Sequence, residues 1–356
     1  MFQILALHRG KVLKFTLSIP GLESCPEMDP LILYLSNKNC EELEFYVYES
    51  LYKLPPSLFL CVGLSILKLQ CCIFNPPQTF NGFHKLVWVE FHQVNFTLNH
   101  AIESFISKCP LLERLTLDKC NNTQQLEIDA PKLKFFSFTG KLLSISFKST
   151  PLLAIVSFYE DADDQVELST EETSNLINTF ICLPSIVHLR IGWNFLLFLR
   201  AGKIPERLPT TLEHLEVLEF NEICFDNPNE VHAAFCLIRS SPNLRKLKIK
   251  FFASSVDDEE GGIDPLLSFL KDQDSLHDCL HRLREVELTN YLNGRYLINM
   301  VKFLLAKSLT LEKMVIQPRE GIVAAEDHKV LKQVNRFKRV SPNAEIIHLE
   351  PNERLV

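Results

Sequence analysis

The chain has 356 residues, of which 46% are hydrophobic, with 26 Phe against 2 Trp. That is ample apolar material for a buried core and more length than one globular core usually holds, so several domains or a repetitive array are expected. Its 37 basic and 44 acidic side chains give a net charge of −7, which argues against a general nucleic-acid binder.

The 11 cysteines are odd in number and form no C-x-x-C, so the paired thiolates of a zinc ribbon are missing. The apolar patch from Phe2 to Leu7 has no charged segment before it and no small-residue cleavage site after it, a poor signal peptide. No run approaches the roughly 20 apolar residues of a membrane helix. A reducing, intracellular location, cytoplasmic or nuclear, is therefore expected, with no membrane partner. Asn95 and Asn121 head glycosylation sequons, which carry little weight without a secretory signal.

Taken in chain order, one phrase recurs. Val12/Phe15/Leu17 and Cys40/Leu43/Phe45 are its first members, with a helix expected between them over 30–36. Leu64, Leu67, Leu69 and Cys72 then fit L-x-x-L-x-L-x-x-C in full. Leu86/Val89/Phe91 come next, and after a helix over 101–108 the phrase returns complete as Leu112, Leu115, Leu117 and Cys120. Leu133/Phe136/Phe138 and Leu153/Val156/Phe158 continue it, separated by a segment (140–150) too short for a full helix. An acidic turn over 161–164 and a helix over 173–182 lead to Ile186, Leu189, Ile191 and Asn194. Leu215/Leu218/Phe220, a helix over 231–239 and Leu244/Leu247/Ile249 extend the series. A second acidic turn (257–262) and a helix over 266–270 precede Leu283/Val286/Leu288. A last helix over 296–306 precedes Leu311/Met314/Ile316. Neither acidic turn has the Gly and twelfth-position Glu of a calcium loop, so both read as solvated loops.

The period of two in x-L-x-L-x puts the apolar residues on one side of a short strand. One strand cannot bury that side, whereas parallel stacking of neighbours buries it and pairs the strand edges. The Cys or Asn after the strand falls where the chain must turn inward. First positions step by about 20 residues (133 to 153) to about 39 (244 to 283), mostly the spacing of leucine-rich repeats. The expected fold is an α/β leucine-rich-repeat solenoid. It would be curved, with parallel strands on the concave face and helices and loops on the convex face.

In such an array the residues between the leucines face outward. That places Trp88, Glu90 and His92 on one strand, Arg114, Thr116 and Asp118 on another, and Ser157 and Tyr159 on a third. His188 and Arg190, then Glu219 and Asn221, then Lys246, Lys248 and Lys250, then Glu285 and Glu287 take the corresponding places further along. Trp, Tyr and Arg are the residue types that dominate binding energy at interfaces. A protein-binding face is therefore expected there. The competing expectation is that these side chains keep the sheet soluble, with Lys248 paired to Glu287 across adjacent strands.

The C-terminal part carries a more specific resemblance. Leu276 to Leu280, the phrase Leu283 to Leu288, Tyr291 to Gly294, a helix and then Leu311-Glu312-Lys313-Met314-Val315-Ile316 resemble the FBD segment. Val334 to Arg339 and Ala344 to Ile347 are similar to its ending, while Tyr52 to Phe59 and Cys71 to Phe74 are similar to early repeats of the same family. The chain thus resembles the plant F-box/FBD/leucine-rich-repeat proteins over nearly its whole length. The resemblance implies a repeat region at 1–274 and an FBD-like segment at 275–356 that continues and caps the solenoid. It also implies protein recognition of the kind performed by the substrate-receptor part of an SCF-type ubiquitin ligase. Nothing before Val12 resembles the F-box, so binding of the Skp1 adaptor is not expected for this chain alone. Two other readings stay open: a small-ligand receptor surface of the plant-hormone type, and a truncated gene product without function.

No catalytic site, metal site or cofactor is expected. His277 and His281 share a helix face but Cys279 points away from it, and no H-E-x-x-H, G-x-S-x-G or phosphate-cradling glycine loop is present. The protein target is unnamed by the sequence, and a monomer is expected. Residues 328–339 hold Lys329, Lys332, Arg336, Lys338 and Arg339; they read as a solvated helix face whose apolar side caps the last repeat, with nucleic acid as the less favoured partner.

Overall fold

A computed structural model describes residues 10–22, 25–98, 100–159, 179–180, 183, 185–192, 195–196, 204–252, 265–271, 280–292 and 294–353. Asn194, both acidic turns, most of the helix expected over 173–182 and the pair His277/Cys279 lie outside them. The chain divides into two compact units, Met1–Val166 and Glu167–Val356.

The first unit contains strands β1 (Lys14–Pro20), β2 (Glu42–Tyr48), β3 (Tyr52–Lys53), β4 (Ile66–Gln70), β5 (Cys72–Phe74), β6 (Trp88–His92) and β7 (Asn95–Phe96). It continues with β8 (Arg114–Asp118), β9 (Gln125–Asp129), β10 (Phe135–Thr139), β11 (Ser144–Ser149) and β12 (Ile155–Tyr159). Strands β1, β2, β4, β6, β8, β10 and β12 lie side by side in that order, all parallel. The register stacks two inward rows: Phe15, Leu43, Leu67, Val89, Leu115, Phe136 and Val156, then Leu17, Phe45, Leu69, Phe91, Leu117, Phe138 and Phe158. Every one of these is buried. Period two in the sequence has become two continuous apolar ribs under one sheet.

The backbone just past each strand accounts for the small residue that ends the phrase. Cys71, Gln93 and Lys119 adopt left-handed backbone at φ 51–52°, and Gly140 has φ 136°. Each donates its N–H to the next strand's last outward carbonyl: His92, Asp118, Thr139 and Tyr159. The turn swings the succeeding residue inward. Cys72 and Val94 are fully buried there. Cys120 is only half-buried as a residue, but its Sγ points to the carbonyls of Phe91 and Asp118, 3.5 and 3.6 Å away. Burial pushes its thiol up to about 12.

Behind the sheet the helices expected over 30–36 and 101–108 are both present, and strands rather than further helices fill the rest. Helix α1 (Met28–Asn37), a 3₁₀ turn (Pro56–Leu60) and the seven-residue α2 (Ala101–Ser107) stand beside two small sheets, β3-β5-β7 and β9-β11. Repeats this short leave little room for a helix, so a second two- to six-residue strand returns the chain instead. Phe59, Phe74, Phe80, Phe83, Phe91, Phe96 and Phe105 fill that layer, with ring centroids 4.9–6.1 Å apart. Gly82 (φ 103°) passes so close to α2 that a Cβ there would overlap the carbonyl oxygen of Lys108.

The second unit has longer repeats and correspondingly longer helices. Strands β13 (His188–Gly192), β14 (Val217–Ile223), β15 (Lys246–Phe251), β16 (Glu285–Tyr291), β17 (Lys313–Pro318) and β18 (Glu345–His348) are parallel neighbours in that order. Leu189, Leu218, Leu247, Val286 and Met314 make one buried row, and Ile191, Phe220, Ile249, Leu288 and Ile316 the other. Helices α3 (Pro228–Arg239), α4 (Pro265–Lys271), α5 (Gly294–Lys307) and α6 (Ala324–Val334) lie between the strands in sequence. Helix α3 starts with Pro at its first position, and the Asn227 side chain accepts from Asn229 N at 3.1 Å.

The basic segment 328–339 departs from expectation. Its first part belongs to α6, with Val330 and Val334 buried while Leu331 and Phe337 are only half-buried. A further strand, β18, comes after it and pairs with β17, so α6 is a crossover rather than the end of the array. Asp327 secures it, accepting from the Tyr291 hydroxyl and lying 3.1 Å from His348 Nε2.

Candidate protein-binding face

The thirteen residues expected on the sheet face all occupy outward strand positions: Trp88, Glu90, His92, Arg114, Asp118, Tyr159, His188, Arg190, Lys246, Lys248, Lys250, Glu285 and Glu287. Ser157 faces the same way but is 1% exposed, a short side chain between the larger Ile155 and Tyr159.

In the first unit the parallel register forms three outward rows. One runs Ile66, Trp88, Arg114, Phe135, Ile155. Trp88 is held between two cations: Lys68 Nζ lies 4.3 Å and the Arg114 guanidinium 5.2 Å from its ring centroid. Arg114 also stacks on Phe135 at 4.5 Å. A chain of charges starts from Lys14 at the head of this row and runs along the other two. Glu44 takes Lys14 at 2.9 Å and Lys68 at 3.6 Å, and Lys68 reaches Glu90 at 3.4 Å. His92 bridges onward, with Nε2 2.8 Å from Glu90 and Nδ1 3.1 Å from Asp118. The hydrogen bonds with Asp118 and Glu90 raise the His92 imidazole to about 9, and the same bonds hold both carboxyls below their usual range. At neutral pH His92 is therefore a cation. Tyr159 sits on β12 in the row of His92, beside Thr139, and is not brought to Trp88.

The second unit's face is a closed ion-pair lattice around Glu219 on β14. Its carboxylate lies 3.0 Å from both His188 Nε2 and Arg190 Nε on β13, and 3.2 Å from Lys248 on β15. Burial would raise Glu219, but the His188 imidazole, Lys248 and Arg190 outweigh it and hold the carboxyl at about 2. Lys248 continues to Glu287 at 3.3 Å, and Lys246 holds Glu287 at 2.6 Å and Glu285 at 2.8 Å. Lys250 pairs with Glu222 at 2.6 Å. The expected Lys248–Glu287 pair is thus present, within a larger network.

Sequence reasoning passed over Lys68, Glu44 and Phe135 as parts of the face. The signal was available: each is an x in the same x-L-x-L-x phrase, so the register that found Trp88 reaches them too. Among the described residues no group of three or more His, Cys, Asp or Glu is arranged to hold a metal, and no helix is long and apolar enough to cross a membrane.

Comparison with known proteins bears on this arrangement. A family model described as FBD-associated F-box protein At5g56370, LRR repeats, matches residues 28–249. The F-box/FBD/LRR-repeat protein At1g13570 of Arabidopsis thaliana is 34% identical over 98% of this chain and 82% of its own length. The putative FBD-associated F-box protein At5g56560 of the same plant is 22% identical over 87% of this chain and 75% of its own. A crystal structure of an internalin from Listeria monocytogenes aligns with 94% of this chain and 86% of that one at 14% identity. Its TM-score is 0.35, too loose to add to the repeats seen directly in the strands. With the repeat model spanning more than half the chain and a relative matched almost end to end, the chain belongs to the F-box/FBD/LRR-repeat protein family.

Proposed function

We propose that this chain is a non-enzymatic recognition module that binds a protein target through the outward face of its sheet. On this reading it corresponds to the substrate-receptor part of an SCF-type ubiquitin ligase. The observation that carries the proposal is the row Trp88, Arg114 and Phe135. Large hot-spot side chains stand outward on strands whose inner sides are locked into the core. Rigid strands lose little conformational freedom on binding, so contacts made there are retained as affinity. The apolar interior needs none of these three residues outward.

Proximity labelling with the 356-residue chain identifies the target, and two variants then test the face. Trp88→Ala with Tyr159→Ala alters the first unit, and Arg190→Ala with Lys248→Ala alters the second. Weakening by about tenfold or more in at least one folded variant is expected. Unchanged binding in both moves the site to the loops or to the FBD-like segment at 275–356. These 356 residues contain no Leu-Pro-opened F-box segment, so the purified chain is expected not to retain Skp1 in a pulldown; retention overturns that part.

A further inference from the structure

We infer that the first unit's face takes an acidic polypeptide segment, whose side-chain carboxylate pairs with Arg114 while an adjacent apolar side chain lies on Trp88 and Phe135. This rests on the proposed recognition role and specifies the chemistry of the target. Arg114 is exposed, and among the described residues no carboxylate lies within ion-pair distance of it. The acids around it are already engaged: Glu90 with Lys68 and His92, Asp118 with His92, and Glu113 with Lys134 at 2.9 Å. A planar guanidinium between two rings is pre-set for two parallel hydrogen bonds to a carboxylate, and its ordering cost is largely met before binding.

The surroundings agree in sign. Lys85 and Lys132 stand three residues ahead of Trp88 and Phe135, at the edge that leads into β6 and β10, and both are exposed. Leu111, 46% exposed, occupies the matching place ahead of Arg114. The edge thus alternates cation, apolar group, cation beside an unpaired guanidinium. A long polyanion is disfavoured, because Glu44, Glu90 and Asp118 fill the next rows and the whole chain is at −7. A short acidic stretch with an aromatic or aliphatic neighbour matches both the charge and the rings.

The test pans a displayed library of random dodecapeptides on the full 356-residue chain, on Arg114→Gln and on Lys302→Gln, a control at an exposed position of α5. The wild type and Lys302→Gln are expected to enrich peptides with excess Asp and Glu next to aromatic or aliphatic residues. Arg114→Gln should lose that bias, and an enriched peptide should bind it about tenfold more weakly. Arg114→Lys keeps the charge without the stacked fork, and should fall between the two. The inference is overturned if no acidic bias emerges, if it survives in Arg114→Gln, or if the chain instead forms a concentration-dependent dimer that Arg114→Gln abolishes. A labelled target whose binding falls in Trp88→Ala but not in Arg114→Gln overturns the acidic claim and leaves the recognition face standing.

Discussion

The two units share one inner construction and differ on the outside. In both, alternate residues of parallel strands stack into two buried apolar rows. Outside, the first unit stacks Trp88, Arg114 and Phe135 and, among the described residues, gives Arg114 no acid, whereas the second ties Arg190, Lys246, Lys248 and Lys250 to Glu219, Glu222, Glu285 and Glu287. The difference teaches that the repeat specifies the interior and leaves the outward positions free. One sheet face leaves a stacked guanidinium beside its charge chain while the other pairs the cations named here.

If the interiors are equivalent, core truncations should cost the same in both. Leu115→Ala and Leu247→Ala each remove a side chain with no exposed surface, and each is expected to lose about 2–5 kcal/mol in denaturant unfolding. A loss in one unit only would break the comparison at its base. The next effect is on the second unit's face. Glu219→Gln removes the shared anion of His188, Arg190 and Lys248 and is expected to cost about 2 kcal/mol, against about 1 kcal/mol for Glu90→Gln on the first unit's face. Because Glu219 is held near 2 against an ordinary 4.5, its contribution is complete above pH 4.5 and fades as pH falls toward 2. Equal costs for the two substitutions would remove the distinction between a closed lattice and an open face.

The smallest effect separates the units at alkaline pH. His92, raised from 6.5 to about 9, contributes stability fully present below pH 6.5 and lost as pH rises through about 9. The unfolding midpoint should therefore drop between these values. In His92→Gln the part of that drop that belongs to the imidazole, on the order of 1 kcal/mol, should vanish. An identical drop in the variant would show that His92 is not the bridging cation.

The interior of this fold was legible because period two is a local signal. Leu67, Leu69, Leu115, Leu117, Leu189, Ile191, Leu247 and Ile249 point inward as their spacing requires. The inward turn was implied by the Cys after the strand; the left-handed backbone that makes it, at Cys71 and Lys119, was not. Less of the rest was written locally. Strands as short as Tyr52–Lys53 and Asn95–Phe96 have no period to read, and exist because a neighbouring repeat offers an edge. Strand β18 has one half-buried His at an inward position and no leucine phrase. On the face, the residues were legible but their partners were not. That Lys68 reaches Glu44 and Glu90, or that Glu219 gathers His188, Arg190 and Lys248, depends on a register between strands some 20–40 residues apart.

The central claim is that the outward sheet face, and not the helical side of the repeats, meets the target. It is tested most directly by placing a photo-crosslinking amino acid at Thr116, outward on β8, and in a second preparation at Ser104, exposed on α2 of the same unit. With the target found by proximity labelling, the account predicts crosslinks from Thr116 and none from Ser104. Crosslinks from Ser104 with none from Thr116 would contradict it.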